Sequence, residues 1–360
     1  MVGKKFYWLD ALRFVAAFMV LISHTRNDVF MAYGDLPAGQ NTGMVFLFYT
    51  LGRLGHEAVV VFFVLSGFLV GGRGFERIKQ GEMNVKSYAI DRFSRIYPPL
   101  FVSIIFYFIT CLFVHTEQWK WPTALGNLLN LQGIVCNYLV SPYWSLSYEW
   151  WFYIIFGCVS MGLTSKSSTI KIVGFVLAGC SGLVFMMGSM AIYYLMIWFL
   201  GALAYIVRPK QSNRYVFWLS VIGIIISVGL YQLSKDTRSI NIPIHIAKPE
   251  IIEVILTIFM CLFIQQVVLY EPHNKVGKKM ESVLGYMGNF SYSLYLSHRI
   301  VMMWIFYYVL NKHDSDMSWN GFLCWIFVVI VCLMICWLLS LISEKHTPYI
   351  KKKLKLILIK

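Results

Sequence analysis

Charge is scarce in this sequence. Asp, Glu, Lys and Arg make up 13% of the 360 residues, where a soluble domain carries roughly 25%. With 58% hydrophobic and 17% aromatic residues and a mean hydropathy of +0.65, a water-soluble globular chain is excluded. Paired cysteines are lacking too. Of the eight cysteines, Cys111, Cys158, Cys180, Cys261, Cys324, Cys332 and Cys336 lie inside apolar runs, Cys136 alone lies in a loop, and no CxxC occurs. A disulfide framework and a cysteine-ligated metal site are therefore not encoded, and no metal is expected. No short apolar stretch followed by a small-residue cleavage site opens the chain, so the first hydrophobic segment is expected to stay in place. No convincing internal repeat is visible, which removes the signature of a transporter built from inverted repeats.

What is there is a series of apolar runs long enough to cross a bilayer. Ten are expected: Phe6–His24, Ala58–Gly71, Pro99–Val114, Ser145–Met161, Ile170–Met187, Ala191–Val207, Tyr215–Leu233, Ile251–Tyr270, Phe290–Leu310 and Gly321–Ile342. The second is short and is expected to begin earlier, through Met44–Leu54, with a break near Gly52–Gly55. The expected fold is thus an all-α polytopic membrane protein, with a transmembrane domain over 1–345 and a basic tail over 346–360. An even count puts both termini on one side. That side collects 22 of the 31 Lys and Arg residues, the opposite side 7, and Arg13 and Arg299 lie within spans. Because positive charge accumulates in cytoplasmic loops, both termini are expected in the cytoplasm. Most of the +14 net charge is then a topology signal, and no nucleic-acid partner is expected. The tail KKKLKLILIK suits the anionic inner leaflet, making membrane lipid a partner.

Against this background the polar residues inside spans are the anomalies. The first span carries Asp10, Arg13 and His24. Eleven residues separate Arg13 from His24, about 16 Å of helical rise and a net rotation of about 20°, so both point to one face. A charge inside a membrane is costly unless it meets a partner or a water-filled cavity, which marks a functional site by default. The simpler alternative is that Asp10 and Arg13 pair at i and i+3. Asp28, one turn beyond His24, is placed to bond it or to remain a solvated acid. His56 and Glu57 either extend an outer site or form an interfacial pair.

In the inner loop, Arg92 and Arg95 share a face if Val85–Ile96 is helical, with Pro98 expected to end that helix. Two guanidiniums beside a span suit phosphate; ordinary positive-inside anchoring is the alternative. The segment Trp119–Pro142 is too polar to span. After it, Glu149 stands among aromatics in PYWSLSYEWWFY, expected near the outer start of its span, either with a cationic partner or as a first-turn acid. From Ile170 to Val268 the spans are nearly uncharged and read as scaffold, and His245 is unassigned. The ninth span carries Asn289, Ser291, Tyr295, His298 and Arg299, for which interhelical hydrogen bonding is the plain reading.

In this order the motifs resemble those of the integral-membrane acyltransferase 3 family, which O-acylates surface glycans and other extracytoplasmic acceptors. Arg13 and His24 correspond to its R-x10-H pattern, Arg92 and Arg95 within RFSRIYP to its R-x-x-R, and Glu149 to the acid after W-S-L-x-x-E; FFVLSGFL and SYSLYLSH are also similar. The resemblance covers essentially the whole chain, as a stand-alone member without a following SGNH-type domain. It implies a transmembrane O-acyltransferase of the bacterial cytoplasmic membrane. Its donor would be acyl-CoA, acetyl-CoA in the first instance, bound by Arg92, Arg95 and Arg13. Its acceptor would be a glycan or lipid-linked sugar, with His24 and Glu149 catalytic. Asp10, Asp28, Tyr97, Ser145, Tyr148 and His298 are expected to support the site. A transporter or flippase lined by the same charges is the rival reading. Acceptor identity, acyl length, direct transfer against an acyl-enzyme, and oligomeric state stay open.

Overall fold

The apolar runs become helices. The computed structural model describes residues 7–115, 118–188, 190–235, 248–270, 275–310 and 315–359. Phe6, the lysines Lys4, Lys5, Lys312 and Lys360, and Arg238 and His245 lie outside the described residues. In chain order the helices are α1 (Tyr7–Val29), α2 (Gly43–Leu51), α3 (Gly55–Ser66), α4 (Arg73–Gln80), α5 (Val85–Phe113), α6 (Trp121–Leu128), α7 (Tyr143–Thr164) and α8 (Ser168–Met187). They continue with α9 (Tyr193–Ile206), α10 (Arg214–Lys235), α11 (Pro249–Leu269), α12 (Lys275–Gly288), α13 (Ser291–Ile305), α14 (Trp319–Ile342) and α15 (Thr347–Leu358). Wider π-type turns extend α3 over Gly67–Gly72 and α13 over Phe306–Leu310. This is an all-α polytopic membrane fold. Seven helical stretches among the described residues are long and apolar enough to cross a membrane. The remaining three expected spans correspond to α7, rich in Trp, Tyr and Ser, the 14-residue α9, and α13 with its π turn. Long apolar side chains such as Ile172, Val176 and Leu183 on α8 and Ile222, Ile225 and Ile226 on α10 are exposed, as lipid-facing surfaces are.

The chain folds into two units. The first comprises residues 1–72, 196–291 and 312–329. The expected break in the second span is real: α2 ends at Leu51 and α3 starts at Gly55. α1 lies against α3, where a Cβ on Gly55 would come within 2.7 Å of the Ser23 side chain, and against α12, where one on Gly288 would meet Asp10 at the same distance. The π turn after α3 rests on Trp198, which is fully buried and donates its indole N–H to Ser66 Oγ at 3.1 Å. A Cβ on Gly67 would run into the Trp198 carbonyl. Small residues at such crossings let helix backbones touch. Gly67→Ala is therefore expected to destabilise the protein by about 1–3 kcal/mol, the usual effect of overpacking. Gly34→Ala, with nothing near its added methyl, serves as the neutral control. Thermal unfolding in detergent, with equal Tm for both variants, would remove this account of the π turn.

Loops at one end of this unit are tied together. Ser315 N donates to the Val29 carbonyl at 2.8 Å and Met31 N to the Ser315 carbonyl at 3.1 Å. Gln40 donates to Asp316 at 3.1 Å, and hydrogen bonds, first from Ser318 and then from Gln40, hold the Asp316 carboxyl below the usual carboxylate range.

The second unit comprises residues 73–195, 292–311 and 330–360. Here α5 departs from expectation: it runs without interruption through Pro98 and Pro99. Each proline ring already has a helical φ, and Tyr97 is the residue whose helical backbone Pro98 disfavours. Packing holds that residue in place, its ring stacked on Phe93 at 4.2 Å and edge-on to Trp150 at 5.2 Å, while Ile96 and Leu100 are fully buried. α7 runs antiparallel to α5: Tyr143 donates to Ser103 Oγ at 2.7 Å at one end, and Tyr88 to the Tyr153 carbonyl at 3.2 Å at the other. α7 and α8 meet at Gly162 and Gly174. The basic tail is helix α15, and it lies on α5, with Lys351 and Lys355 placed 3.1 and 2.9 Å from Asp91.

Candidate functional site

In the first unit α1 is one continuous helix of 23 residues, which fixes Arg13 and His24 on a common face as their spacing requires. Arg13 Nη1 stands 2.5 Å from Asp10 Oδ1, and both side chains are partly exposed, so the i, i+3 pair forms. His24 is half-buried between buried neighbours Ser23 and Thr25, and Asp28 is half-buried one turn on. Thr25 donates to the Leu21 carbonyl and accepts from the Trp325 indole at 3.1 Å, pinning this turn. Arg26, just past the end of the first expected span, is buried, its guanidinium 4.8 Å above the Tyr49 ring and bonded to Asn27. Two residues past His24, it projects from the opposite face of α1.

The same unit buries two acids, Glu253 and Glu57. His56 Nε2 lies 2.7 Å from Glu253 Oε1, across 197 residues of sequence, and its ring stacks on Tyr231 with centroids 5.4 Å apart and planes 9° apart. Glu253 is 2% exposed. Glu57 is buried as well and accepts from Gln232. His56 thus meets an acid of α11 and Glu57 an amide of α10, and these two helices are more than scaffold. A signal existed: Glu253 in PEIIEVILTIF is an acid inside an apolar run, the same anomaly as Asp10.

The second unit gathers Arg92, Arg95 and Glu149. The Arg92 guanidinium lies 5.9 Å from the Tyr88 ring centroid and 5.4 Å from that of Tyr153. Tyr153 donates its hydroxyl to Glu149. Arg92 Nε is buried without a hydrogen-bond acceptor among the described residues. Arg95, Glu149, Tyr153 and Glu344 all act electrostatically on Tyr292, whose buried hydroxyl has no hydrogen-bond partner among the described residues. Glu344 itself accepts from the Ser293 amide at 2.9 Å.

Glu149 thus sits in the second turn of α7, one turn from the tyrosine beneath Arg92. A polar segment packs against the start of this helix. Asn127, Asn130 and Gln132 are all buried. Asn127 bonds the carbonyls of Thr123 and Asn137, both at 2.8 Å, and Gln132 bonds that of Tyr143 at 3.0 Å. The Asn130 carbonyl accepts from Ser147 and Trp151, both at 3.0 Å, with Asn130 itself at φ 55°, a left-handed conformation that asparagine tolerates. These residues lie over the first turns of α7, whose Tyr143 bonds Ser103 in the second half of α5.

Ser145, Tyr148 and Tyr97 tie their helices to neighbouring segments. Ser145 and Tyr295 hydroxyls are 2.5 Å apart, Tyr148 accepts from the Ala191 amide at 2.6 Å, and Tyr97 makes the ring contacts described above. His298 is fully buried, its Nδ1 2.9 Å from the Leu294 carbonyl. Among the described residues no group of three or more His, Cys, Asp or Glu side chains comes together to hold a metal.

Comparison with known proteins decides the chemistry in outline. The family model described as an acyltransferase domain matches residues 6–341. The chain belongs to the acyltransferase 3 family. No curated protein and no solved structure matches it. This membrane acyltransferase therefore offers two kinds of equipment to its reaction: guanidiniums with buried tyrosines and a carboxylate in one unit, and histidines, one of them on a buried carboxylate, in the other. Guanidiniums bind phosphate by forked hydrogen bonds, and histidine moves protons or carries acyl groups.

Proposed function

We propose that this acyltransferase takes an acyl group, acetyl in the first instance, from cytoplasmic acyl-CoA and passes it to a hydroxyl of an extracytoplasmic or lipid-linked glycan. The observation that carries the reading is the continuous helix α1 with Arg13 and His24 on one face. Its 23 residues give about 35 Å of rise, enough to cross the roughly 30 Å hydrocarbon core. The Arg-to-His separation of about 16 Å suits an extended CoA arm held by its phosphates at one end and presenting its thioester at the other. Arg92 and Arg95 supply further phosphate contacts, and Glu149, bonded to Tyr153 beside Arg92, is the acid of that cluster. His24 meets the acyl carbon, as general base or as the group that is itself acylated. The termini lie in the cytoplasm of a bacterial cell, and the protein sits in its cytoplasmic membrane.

The deciding experiment is mass spectrometry of surface glycans from cells with and without the gene, together with transfer of labelled acetyl from acetyl-CoA in isolated membranes. O-acyl groups that are present only with the gene support the reading, and identical glycans with no transfer overturn it. Direction is tested separately. A cysteine replacing Lys79 at the end of α4 is expected to react with impermeant thiol reagents only from the cytoplasmic side, following the 22-to-7 charge bias. Labelling of position 79 from outside would reverse the orientation and the direction of transfer.

A further inference from the structure

His56 and Glu253 have no place in the reading above, yet they form the strongest acid–base arrangement in the first unit. Three helices, α3, α10 and α11, contribute to it. Glu253, 2% exposed, receives the His56 Nε2 contact at 2.7 Å, and Tyr231 lies parallel to the imidazole. A buried carboxylate is expensive to desolvate and is retained where it is paired. Its effect on the ring is specific. With Nε2–H directed at the carboxylate, the basic lone pair resides on Nδ1, and the imidazolium formed by protonation there is stabilised by the adjacent negative charge. His56 keeps partial exposure, 29% of its side chain, so the ring can be reached. At the preceding residue, Gly55, α3 packs closely against Ser23 of α1, the residue before His24.

We propose that His56, positioned by Glu253, is the general base that activates the acceptor hydroxyl, and that His24 is the residue that carries the acyl group. This rests on the acyl-CoA reading given above and deepens it. In the first step a nitrogen of His24 bonds to the thioester carbonyl carbon, the carbon–sulfur bond breaks, and the proton of that imidazole leaves with CoA as the thiol. In the second step the acceptor oxygen bonds to the acyl carbon as His56 Nδ1 takes its proton. The carbon–nitrogen bond breaks, and the proton passes from His56 to restore the His24 imidazole. His56 is thus catalytic toward the acceptor, and Glu253 is a positioning residue.

The test uses membranes containing the full-length protein, labelled acetyl-CoA, and two acceptors: the membranes' own glycan hydroxyls, which need a base, and added hydroxylamine, a strong nucleophile that does not. His56→Gln is expected to lower transfer to glycan by about 100-fold, the scale of general-base catalysis, with transfer to hydroxylamine kept within about 3-fold of wild type. Glu253→Gln, which preserves shape and a hydrogen-bond acceptor but not the charge, is expected to lower glycan transfer by about 10-fold with the KM for acetyl-CoA within about 3-fold. His24→Ala should lose both acceptors. The proposal is overturned if His56→Gln keeps glycan transfer within about 3-fold, or if both variants lose the two acceptors in equal measure, which is the mark of a structural pair. A wild-type protein that uses neither acceptor overturns the acyl-CoA reading itself, an outcome distinct from the failure of the dyad alone.

Discussion

His24→Ala should reduce glycan acylation by about 10³-fold or more while leaving the affinity for acyl-CoA within a few-fold of wild type. A residue that bonds to the acyl carbon, or takes the proton of the attacking hydroxyl, cannot be replaced by a methyl group, whereas on the reading proposed above CoA is held chiefly through its phosphates. The wild-type helix tolerates the change. His24 is half-buried in the last two turns of α1, and the fixing contacts there belong to Thr25, bonded to Leu21 and Trp325, and to Ser23 against Gly55. Alanine is also the best helix former. The measurement pairs labelled-acetyl transfer with calorimetric CoA titration of the purified protein. Near-wild-type acylation by the variant would remove His24 from the chemistry, and lost CoA binding would move it to the donor site.

The second large effect is expected at the R-x-x-R pair. Each charge-assisted guanidinium–phosphate contact contributes about 1.5–3 kcal/mol, so Arg92→Ala or Arg95→Ala alone should weaken CoA by about 10–100-fold, and the double variant by about 10³-fold or more. Arg92 also lies over the Tyr88 and Tyr153 rings, and that contact supplies an internal control. Arg92→Lys retains a cation near the aromatic faces but not the fork, and should recover only part of the affinity. Full recovery by lysine would make Arg92 a packing residue. Unchanged CoA affinity in both alanine variants would return the pair to membrane anchoring. Glu149 is bonded to Tyr153 beside Arg92, and Asp91, the residue just before Arg92, is occupied by Lys351 and Lys355 of α15. The tail lysines thus keep this acid from competing for the guanidiniums.

Sequence alone determined the properties that belong to a contiguous segment. Helix geometry is local, so eleven residues of spacing were enough to align Arg13 with His24. The glycines at 52 and 55 were enough to break the second span, and apolar runs were enough to mark which stretches are helical. The order of R-x10-H, R-x-x-R and W-S-L-x-x-E was enough to point to the family that the match over residues 6–341 then showed. What only the tertiary structure decided is which side chains become neighbours across long stretches of chain. Nothing in the spacing of His56 and Glu253, 197 residues apart, announces their contact. Nor could the two prolines in α5 be placed inside a helix before the stacking of Tyr97 on Phe93 and Trp150 was known. Nor does a segment that reads only as too polar to span announce that its amides Asn127, Asn130 and Gln132 are buried against the start of α7. The physical reason is common to all three. In a membrane protein most helix faces are equally apolar, so hydrophobic pattern shows that a segment is a helix but not which neighbour it chooses. That choice is made by close-packed glycines and by polar groups that must find partners, and those partners lie elsewhere in the chain.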